Sequence, residues 1–341
     1  MPRLRRVDCS VPGITRRRRG RGFEYIDEEG RRISEPARLG RIKELAIPPA
    51  WRDVWICPHP MGHIQATGID DAGRKQYRYH DRWRERRDRE KFDSMVAFAN
   101  ALPRLRRRVA KDLKRTGMPR ERILACAVRL LDLGFFRVGS EAYTEENGSY
   151  GLATLRRSHV RVSGDEVLFD FAAKGGKRRV QSITDPALRR LTSSLLARRG
   201  GGPELLAYRE GSAWRDIRSE DINAYLKDLA GEEVSAKDFR TWHATVLTAV
   251  LLAAEERELT SVTSRKRVVS SVVKEVAEVL GNTPAVCRAS YIDPRVIDRF
   301  LDGETIALSH GRDLADDQVR EAVEAAVLEL LGSSGEADRA A

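Results

Sequence analysis

Hydrophobic periodicity changes character once along this 341-residue chain, near residue 90. From Gly22 to about Tyr79, short apolar alternations are broken by turn residues, the period-two pattern of half-buried strands. Phe23–Ile26 runs into Asp27-Glu28-Glu29-Gly30, Val54–Cys57 and His63–Thr67 read as further strands, and Asp70-Asp71-Ala72-Gly73 is a hairpin turn into Lys75–Tyr79. Asp81 to Lys91, with Arg82, Arg84, Arg86, Arg87 and Arg89, reads as a charged helical connection. Beyond it apolar residues recur at three- and four-residue spacing. That pattern predicts helices over Phe92–Thr116 (interrupted near Pro103), Arg120–Leu133, Ser219–Ala230, Ala236–Glu256, Ser264–Leu280 and about Asp316 to Leu331, the last followed by Gly332-Ser333-Ser334-Gly335. Val160–Val162, Glu166–Phe171 and Arg178–Ile183 interrupt the helices as a short β meander. The expected fold class is α+β: a basic arm over 1–22, a small antiparallel β-rich domain over 23–90, and a larger, mainly helical domain over 91–341.

Such a chain is long enough for two cores, and 41% hydrophobic residues exclude global disorder. The net charge of +11 is segregated, because residues 1–91 hold 23 Lys/Arg against 14 Asp/Glu. A segregated excess points to a polyanion such as nucleic acid more than to solubility. The run Arg16-Arg17-Arg18-Arg19 lies in the expected arm, which either follows DNA phosphates or is a solvated tail. Cys9, Cys57, Cys126 and Cys287 form no CxxC or Cys/His cluster, which argues against a disulfide framework or zinc site and for reduced thiols in a cytoplasm. The arginine-rich start carries no apolar leader core, and no apolar span approaches membrane-crossing length.

Four short stretches carry the chemistry. They are Arg137-Val138-Gly139-Ser140-Glu141, Lys174-Gly175-Gly176-Lys177, Lys237-Asp238-Phe239-Arg240-Thr241-Trp242-His243 and Ser290-Tyr291-Ile292-Asp293. Two arginines can hold the non-bridging oxygens of a phosphodiester through forked, charge-assisted hydrogen bonds. A lysine can protonate a departing oxygen, and a tyrosine can become a covalent phosphotyrosyl link. Singly, each residue has a plainer reading as a solvated cation or an ordinary tyrosine. Arg137, however, follows an apolar helix end and Arg240 precedes an apolar helix, and neither placement suits simple surface display.

In order and context these stretches resemble the type IB DNA topoisomerases, specifically their small bacterial and poxvirus-like branch. Tyr150-Gly151-Leu152-Ala153-Thr154-Leu155 fits as well, and recognisable segments run from about Ile47 to Arg295. The resemblance implies Tyr291 as nucleophile, Arg137 and Arg240 as phosphate clamps and Lys174 as general acid. Lys174 and Lys177 both flank Gly175-Gly176 and a hairpin slip could exchange them; the family pattern favours the first and leaves Lys177 to DNA phosphate or solvent. The family's remaining phosphate ligand is commonly a histidine in a Gly-His-Thr-Pro-like stretch. Here Gly281-Asn282-Thr283-Pro284 puts Asn282 there, a neutral donor.

Gln65-Ala66-Thr67-Gly68 and Gly73-Arg74-Lys75-Gln76-Tyr77-Arg78-Tyr79-His80 resemble the branch's DNA-contacting segment. That implies DNA contacts from Gln65, Arg74, Lys75, Gln76, Tyr77 and Tyr79, although Tyr77 and Tyr79 share a strand face and would equally suit core packing. His243, three residues after Arg240, is expected to be structural, and His159 and His310 to be surface or cap residues. The implied protein is a monomeric, nucleoid-associated clamp on double-stranded DNA, needing no metal, ATP or other cofactor and touching no membrane. The alternatives are a tyrosine recombinase, which would need an oligomeric synapse, and a catalytically inactive DNA clamp. The charge distribution generates one prediction: affinity for duplex DNA, measured by anisotropy, should fall linearly in log–log with salt, by about 0.9 per phosphate neutralised. A flat salt response would remove the nucleic-acid reading.

Overall fold

In the computed structural model, residues 3–255, 261–308, 314 and 316–332 are described. Glu256, His310 and the Ser333–Gly335 stretch lie outside the described residues. The chain divides into two units, Met1–Lys91 and Phe92–Ala341.

The first unit is a five-stranded antiparallel sheet with one helix. Its elements are β1 (Ile14–Arg19), β2 (Gly22–Ile26), α1 (Pro36–Glu44), β3 (Arg52–Ile56), β4 (Ile64–Ile69) and β5 (Lys75–Tyr79), with strand order β2-β1-β3-β4-β5. The basic run therefore does not lie in an arm. Arg16–Arg19 pair with Gly22–Tyr25 across a two-residue turn that Gly20 makes possible at φ +58°. Ile14, fully buried and opposite Ile56, anchors the strand. Arg16 folds back, donating to the carbonyls of Pro48 (3.1 Å) and Trp51 (2.6 Å) and covering the Phe23 ring. Ile14, Ile33, Ile42, Val54, Ile56 and Ala66 form the unit's core. Helix α1 was not legible as periodicity. Its marker is Pro36 at the first helical position after extended Glu35, and it contributes only Ile42 as a fully buried side chain.

Helix α2 (Asp81–Leu113) runs unbroken through Pro103, where an interruption was expected. Proline costs the bond to the Ala99 carbonyl, but Phe92, Met95, Phe98, Leu102, Leu105 and Val109 bury one continuous stripe that outweighs it. The second unit continues with α3 (Arg120–Gly134), α4 (Glu141–Asn147), β6 (Val160–Ser163), β7 (Glu166–Ala172), β8 (Arg178–Thr184) and α5 (Pro186–Leu196). A hairpin, β9 (Ala207–Glu210) and β10 (Ala213–Asp216), precedes α6 (Ser219–Ala230) and α7 (Ala236–Glu255). The last described elements are α8 (Val262–Leu280), α9 (Pro284–Ser290), α10 (Pro294–Asp302) and α11 (Asp317–Gly332). The meander forms the sheet β6-β7-β8 as expected; β9–β10 and α4 were too short to show a period. Helices α3 and α7 are the most deeply buried, α7 with Phe239, Trp242 and Ala244 all at 0% exposure.

A buried ion network ties α2, α3, α7 and α11. Arg106 donates to Asp132 (2.9 and 3.0 Å) and to Glu324 (2.6 and 2.8 Å), and Trp242 Nε1 donates to Glu324 at 3.1 Å. Burial alone would raise Asp132, but His243, Arg106 and Arg320 outweigh it and hold the carboxyl far below its usual range. Its contribution is therefore complete above the ordinary carboxyl value of 3.8 and is lost only as pH falls below it. Replacing Arg106 by Leu leaves buried Glu324 with no cation among the described residues and takes the closest one from Asp132, which should cost about 3–5 kcal/mol at neutral pH in denaturant unfolding. That loss should shrink as pH falls and the stranded carboxyls protonate; a pH-independent loss would assign the effect to packing.

Candidate active site

The C-terminal ends of two helices organise this site. Helix α3 closes at Phe135, a non-glycine residue in the left-handed region (φ 53°), which turns the chain so that Arg137 follows. Residues 137 and 138 are then pinned by backbone bonds to their carbonyls from Leu152 and Ala153, both 2.8 Å. Gly139 and Gly151 make this possible: a Cβ on Gly151 would stand 2.4 Å from the Gly139 Cα. The Tyr150–Leu155 stretch thus supports the arginine segment from behind.

Helix α8 ends at Gly281, left-handed at φ 65°. Gly281 N–H returns to the carbonyls of Ala277 and Glu278, and Asn282 N–H to that of Ala277, a closure that leaves the later carbonyls without helical partners. Arginines take them. Arg240 Nη2 donates to Leu280 O at 2.9 Å and its Nη1 to Phe135 O. Arg137 Nη2 donates to Gly281 O at 3.2 Å and to Asn282 Oδ1. Arg179 of β8, which sequence reasoning missed, donates to Val279 O at 3.3 Å and Gly134 O at 3.2 Å.

Among the described residues none of these three guanidiniums meets a carboxylate. Burial pushes Arg137 down, and burial together with the charge of Arg137 pushes Arg179 and Arg240 each down to about 10. All three stay protonated at neutral pH. Arg240 is only 3% exposed and its Nε has no acceptor, nor does the buried Nδ2 of Asn282, whose Oδ1 faces Arg137. Desolvated cations and unused buried donors gathered in one place describe a site for an anion.

Tyr291 stands beside it. Thr283 caps α9 with Pro284 in its first turn, and the helix ends at Tyr291, whose ring centroid lies 5.2 Å from the Arg240 guanidinium carbon. Thr245, fully buried on α7, donates to Thr241 O of its own helix (2.9 Å) and accepts from Asp293 N–H (3.1 Å), so Arg240 and the tyrosine segment hang on the same helix. Lys174 lies in the tight turn between β7 and β8, where Gly175 and Gly176 both have positive φ. It is exposed, with Nζ 5.6 Å from the Tyr143 ring centroid. A cleft of about 640 Å³ is lined by Arg137, Lys174, Lys177, Arg179 and Asn282. The structure therefore brings together Arg137, Arg240, Asn282 and Tyr291, and it puts Lys174 and Lys177 on the cleft that Arg137 and Asn282 line.

In the first unit the expected DNA contacts divide. Lys75, Tyr77 and Tyr79 share the exposed face of β5, the two rings stacked at 5.9 Å, so the tyrosines do not pack in the core. Arg74 is exposed while paired to Asp70 at 2.8 Å, and Gln76 donates to the same carboxylate at 2.8 Å. Gln65 is a correction: it is 4% exposed, donates to the carbonyls of Gly62 (2.6 Å) and Pro60 (3.0 Å), and accepts from Arg41 (2.9 Å). Its amide shapes the loop below β4 and has no face left for DNA. His243 is buried against Phe135 and Asp132, in keeping with a structural part, and His159 Nδ1 accepts from Arg156 N–H as a local cap. Among the described residues no group of three or more His, Cys, Asp or Glu is placed to hold a metal, and no helix is long and apolar enough to cross a membrane.

Comparison with known proteins identifies the family. The family description "Eukaryotic DNA topoisomerase I, catalytic core" matches residues 80–302, and "Bacterial DNA topoisomerase IB, N-terminal domain" matches residues 22–70. The chain is 28% identical to DNA topoisomerase 1B of Acanthamoeba polyphaga mimivirus over 310 residues, covering 89% of this chain and 92% of that protein. It is 22% identical to DNA topoisomerase 1B of Vaccinia virus over 265 residues, 76% of this chain and 81% of the relative. With a helical catalytic core preceded by its β-rich partner in one chain, the protein belongs to the type IB DNA topoisomerases.

Proposed function

We propose that this protein relaxes DNA supercoils of either sign by transient cleavage of one strand through Tyr291. The observation that carries the reading is a tyrosine set against the buried guanidinium of Arg240, with half-buried Arg137 beside it, neither meeting a carboxylate among the described residues, and with Arg240 Nε and Asn282 Nδ2 unused. The Tyr291 oxygen attacks the phosphorus, the P–O5′ bond breaks, and a 3′-phosphotyrosyl link forms. Lys174 gives its proton to the departing O5′, while the phenol proton passes to water. Arg137 and Arg240 hold the non-bridging oxygens and offset the charge that grows in the transition state, and the free Nδ2 of Asn282 adds a neutral hydrogen bond.

The broken strand swivels about the intact one, and the 5′-hydroxyl then reverses the reaction. One ester replaces another throughout, so no ATP is consumed, and guanidinium charge does the work a metal ion could otherwise do. The exposed Lys75–Tyr77–Tyr79 face, with Arg74, Gln76 and Lys177, contributes affinity for the duplex. One chain engages one duplex, as a monomeric clamp.

The purified protein should relax negatively supercoiled plasmid in EDTA without ATP. Tyr291→Phe should abolish the covalent adduct, seen as DNA trapped on protein after denaturation, while duplex affinity stays within about fivefold, since a lone hydroxyl contributes on the order of 1 kcal/mol. Residual adduct in that variant would remove Tyr291 from its role. Binding without relaxation by the wild-type protein would overturn the relaxation reading.

A further inference from the structure

We infer that Arg179, which has no part in the reaction as written above, is a positioning residue: it holds the Lys174 hairpin against the arginine cluster, so that losing it is felt as losing the general acid. The turn that carries Lys174 is weakly held by its own surroundings. Lys174, Gly175, Gly176 and Lys177 are all exposed, and a Cβ built on either glycine would meet nothing within 4 Å. A long side chain on such a turn has no fixed address unless the strand below it does.

Arg179 supplies that address. It sits opposite Phe171 in the β7–β8 pairing, one residue beyond the pair Ala172–Arg178 that closes the hairpin. Strand alternation places it on the inward face with Gln181 and Ile183. Gln181 Oε1 accepts from its Nε (3.1 Å) and Nη2 (2.9 Å), fixing the plane of the guanidinium. The remaining bonds leave the sheet, Nη2 to Gly134 O at the end of α3 and Nη1 to Val279 O at the end of α8. The adjacent carbonyls of those two helix ends, Phe135, Leu280 and Gly281, are the ones that hold Arg240 and Arg137.

Arg179 Nη1 and Arg137 Nη1 also lie 3.7 and 3.8 Å from the point where a Cβ on Gly281 would stand, so both guanidiniums flank one glycine. The strand that bears the acid and the arginines that face the phosphate are registered at the same place. Placing a third desolvated cation here costs charge repulsion, visible in the lowering of Arg179 to about 10, yet no carboxylate has been set beside it. A forked, planar group that reaches two helix ends at once is what only arginine provides.

The inference rests on Lys174 protonating O5′, and its test separates the two. With sulfur in place of O5′ the leaving group is a thiolate, which departs without a proton; the Tyr291–phosphorus bond still forms and the phosphorus–sulfur bond breaks. Single-turnover cleavage would be measured for the full chain, on a duplex whose cleavage site has been mapped with wild-type protein, made with oxygen or sulfur at that linkage. Lys174→Ala, Arg179→Ala and Arg179→Lys would each be compared with wild type. Arg179→Ala should cleave the oxygen linkage about 100-fold more slowly, the lower range for loss of a general acid, and the sulfur linkage at close to the wild-type rate. Arg179→Lys should stay slow on oxygen, because a point charge cannot bridge both helix ends.

Equal slowing of Arg179→Ala on both linkages would mean a direct phosphate contact or a damaged fold, and would overturn the positioning role. So would a wild-type rate for Arg179→Ala, or restoration by lysine. If Lys174→Ala is itself not rescued by sulfur, the acid assignment fails first and the role of Arg179 falls with it.

Discussion

Everything at this site depends on two helix ends that accept cations. Three guanidiniums packed together repel one another, and none of the three meets a carboxylate among the described residues. What holds them is backbone: the Gly134 and Phe135 carbonyls where α3 ends, and the Val279, Leu280 and Gly281 carbonyls where α8 ends. A helix C-terminus carries roughly half a negative charge and unsatisfied acceptors. Two helices of 15 and 19 residues present that potential from two directions. The closure at Gly281 sets the allocation, because it uses the Ala277 and Glu278 carbonyls internally and leaves the next three for arginine. Helix-end interactions are each worth on the order of 1 kcal/mol, too little to neutralise a guanidinium. Burial and the neighbouring Arg137 charge lower Arg179 and Arg240 to about 10 and no further, so both stay charged at neutral pH.

Helix α7 is the second organising element, and it helps hold the tyrosine beside Arg240. Arg240 sits in its second turn and Thr245 five residues later, both buried. Thr245 fixes the chain just after Tyr291 by accepting from the Asp293 amide. The tyrosine segment is therefore tied to α7 as well as to the short α9 that ends at it. On the same helix, Trp242 and His243 meet the buried network of Asp132, Arg106 and Glu324. Catalytic geometry and fold stability thus share a single helix.

Much of this was legible in the sequence, for identifiable reasons. Long helices and the β6–β8 meander showed their periods plainly, and the motif residues Arg137, Arg240, Asn282 and Tyr291 converge in space. Short elements such as α1, α4 and β9–β10 span too few residues for a period to register. The Arg16–Arg19 run misled because charge outvoted the single apolar anchor Ile14, whose partner Ile56 lies 42 residues away. Gln65 misled differently: the residue type suits base contact, but only tertiary structure shows that neighbouring carbonyls have consumed its amide. Arg179 hid among Lys177, Arg178 and Arg179, although strand alternation with core residue Ile183 marks it as the inward cation of the three.

The second unit handles its buried arginines in two opposite ways, and the contrast bears on function. Arg106 is paired on both sides by Asp132 and Glu324, and Arg129 by Asp185 (2.9 Å) and Asp317 (3.3 Å). Those charges are spent on the fold; adding an anion there would displace a carboxylate and gain little. Arg137 and Arg240 meet carbonyl oxygens and no carboxylate among the described residues, so an anion arriving beside them meets charges that burial has partly stripped of water. Electrostatic attraction is strongest under that condition, and no reorganisation is required when charge grows on the phosphoryl oxygens. On the reading proposed above, the free protein carries an unfavourable charge arrangement that a bound phosphate relieves. It favours the pentacoordinate transition state over the ground state, because the transition state concentrates more negative charge at the point that Arg137 and Arg240 face.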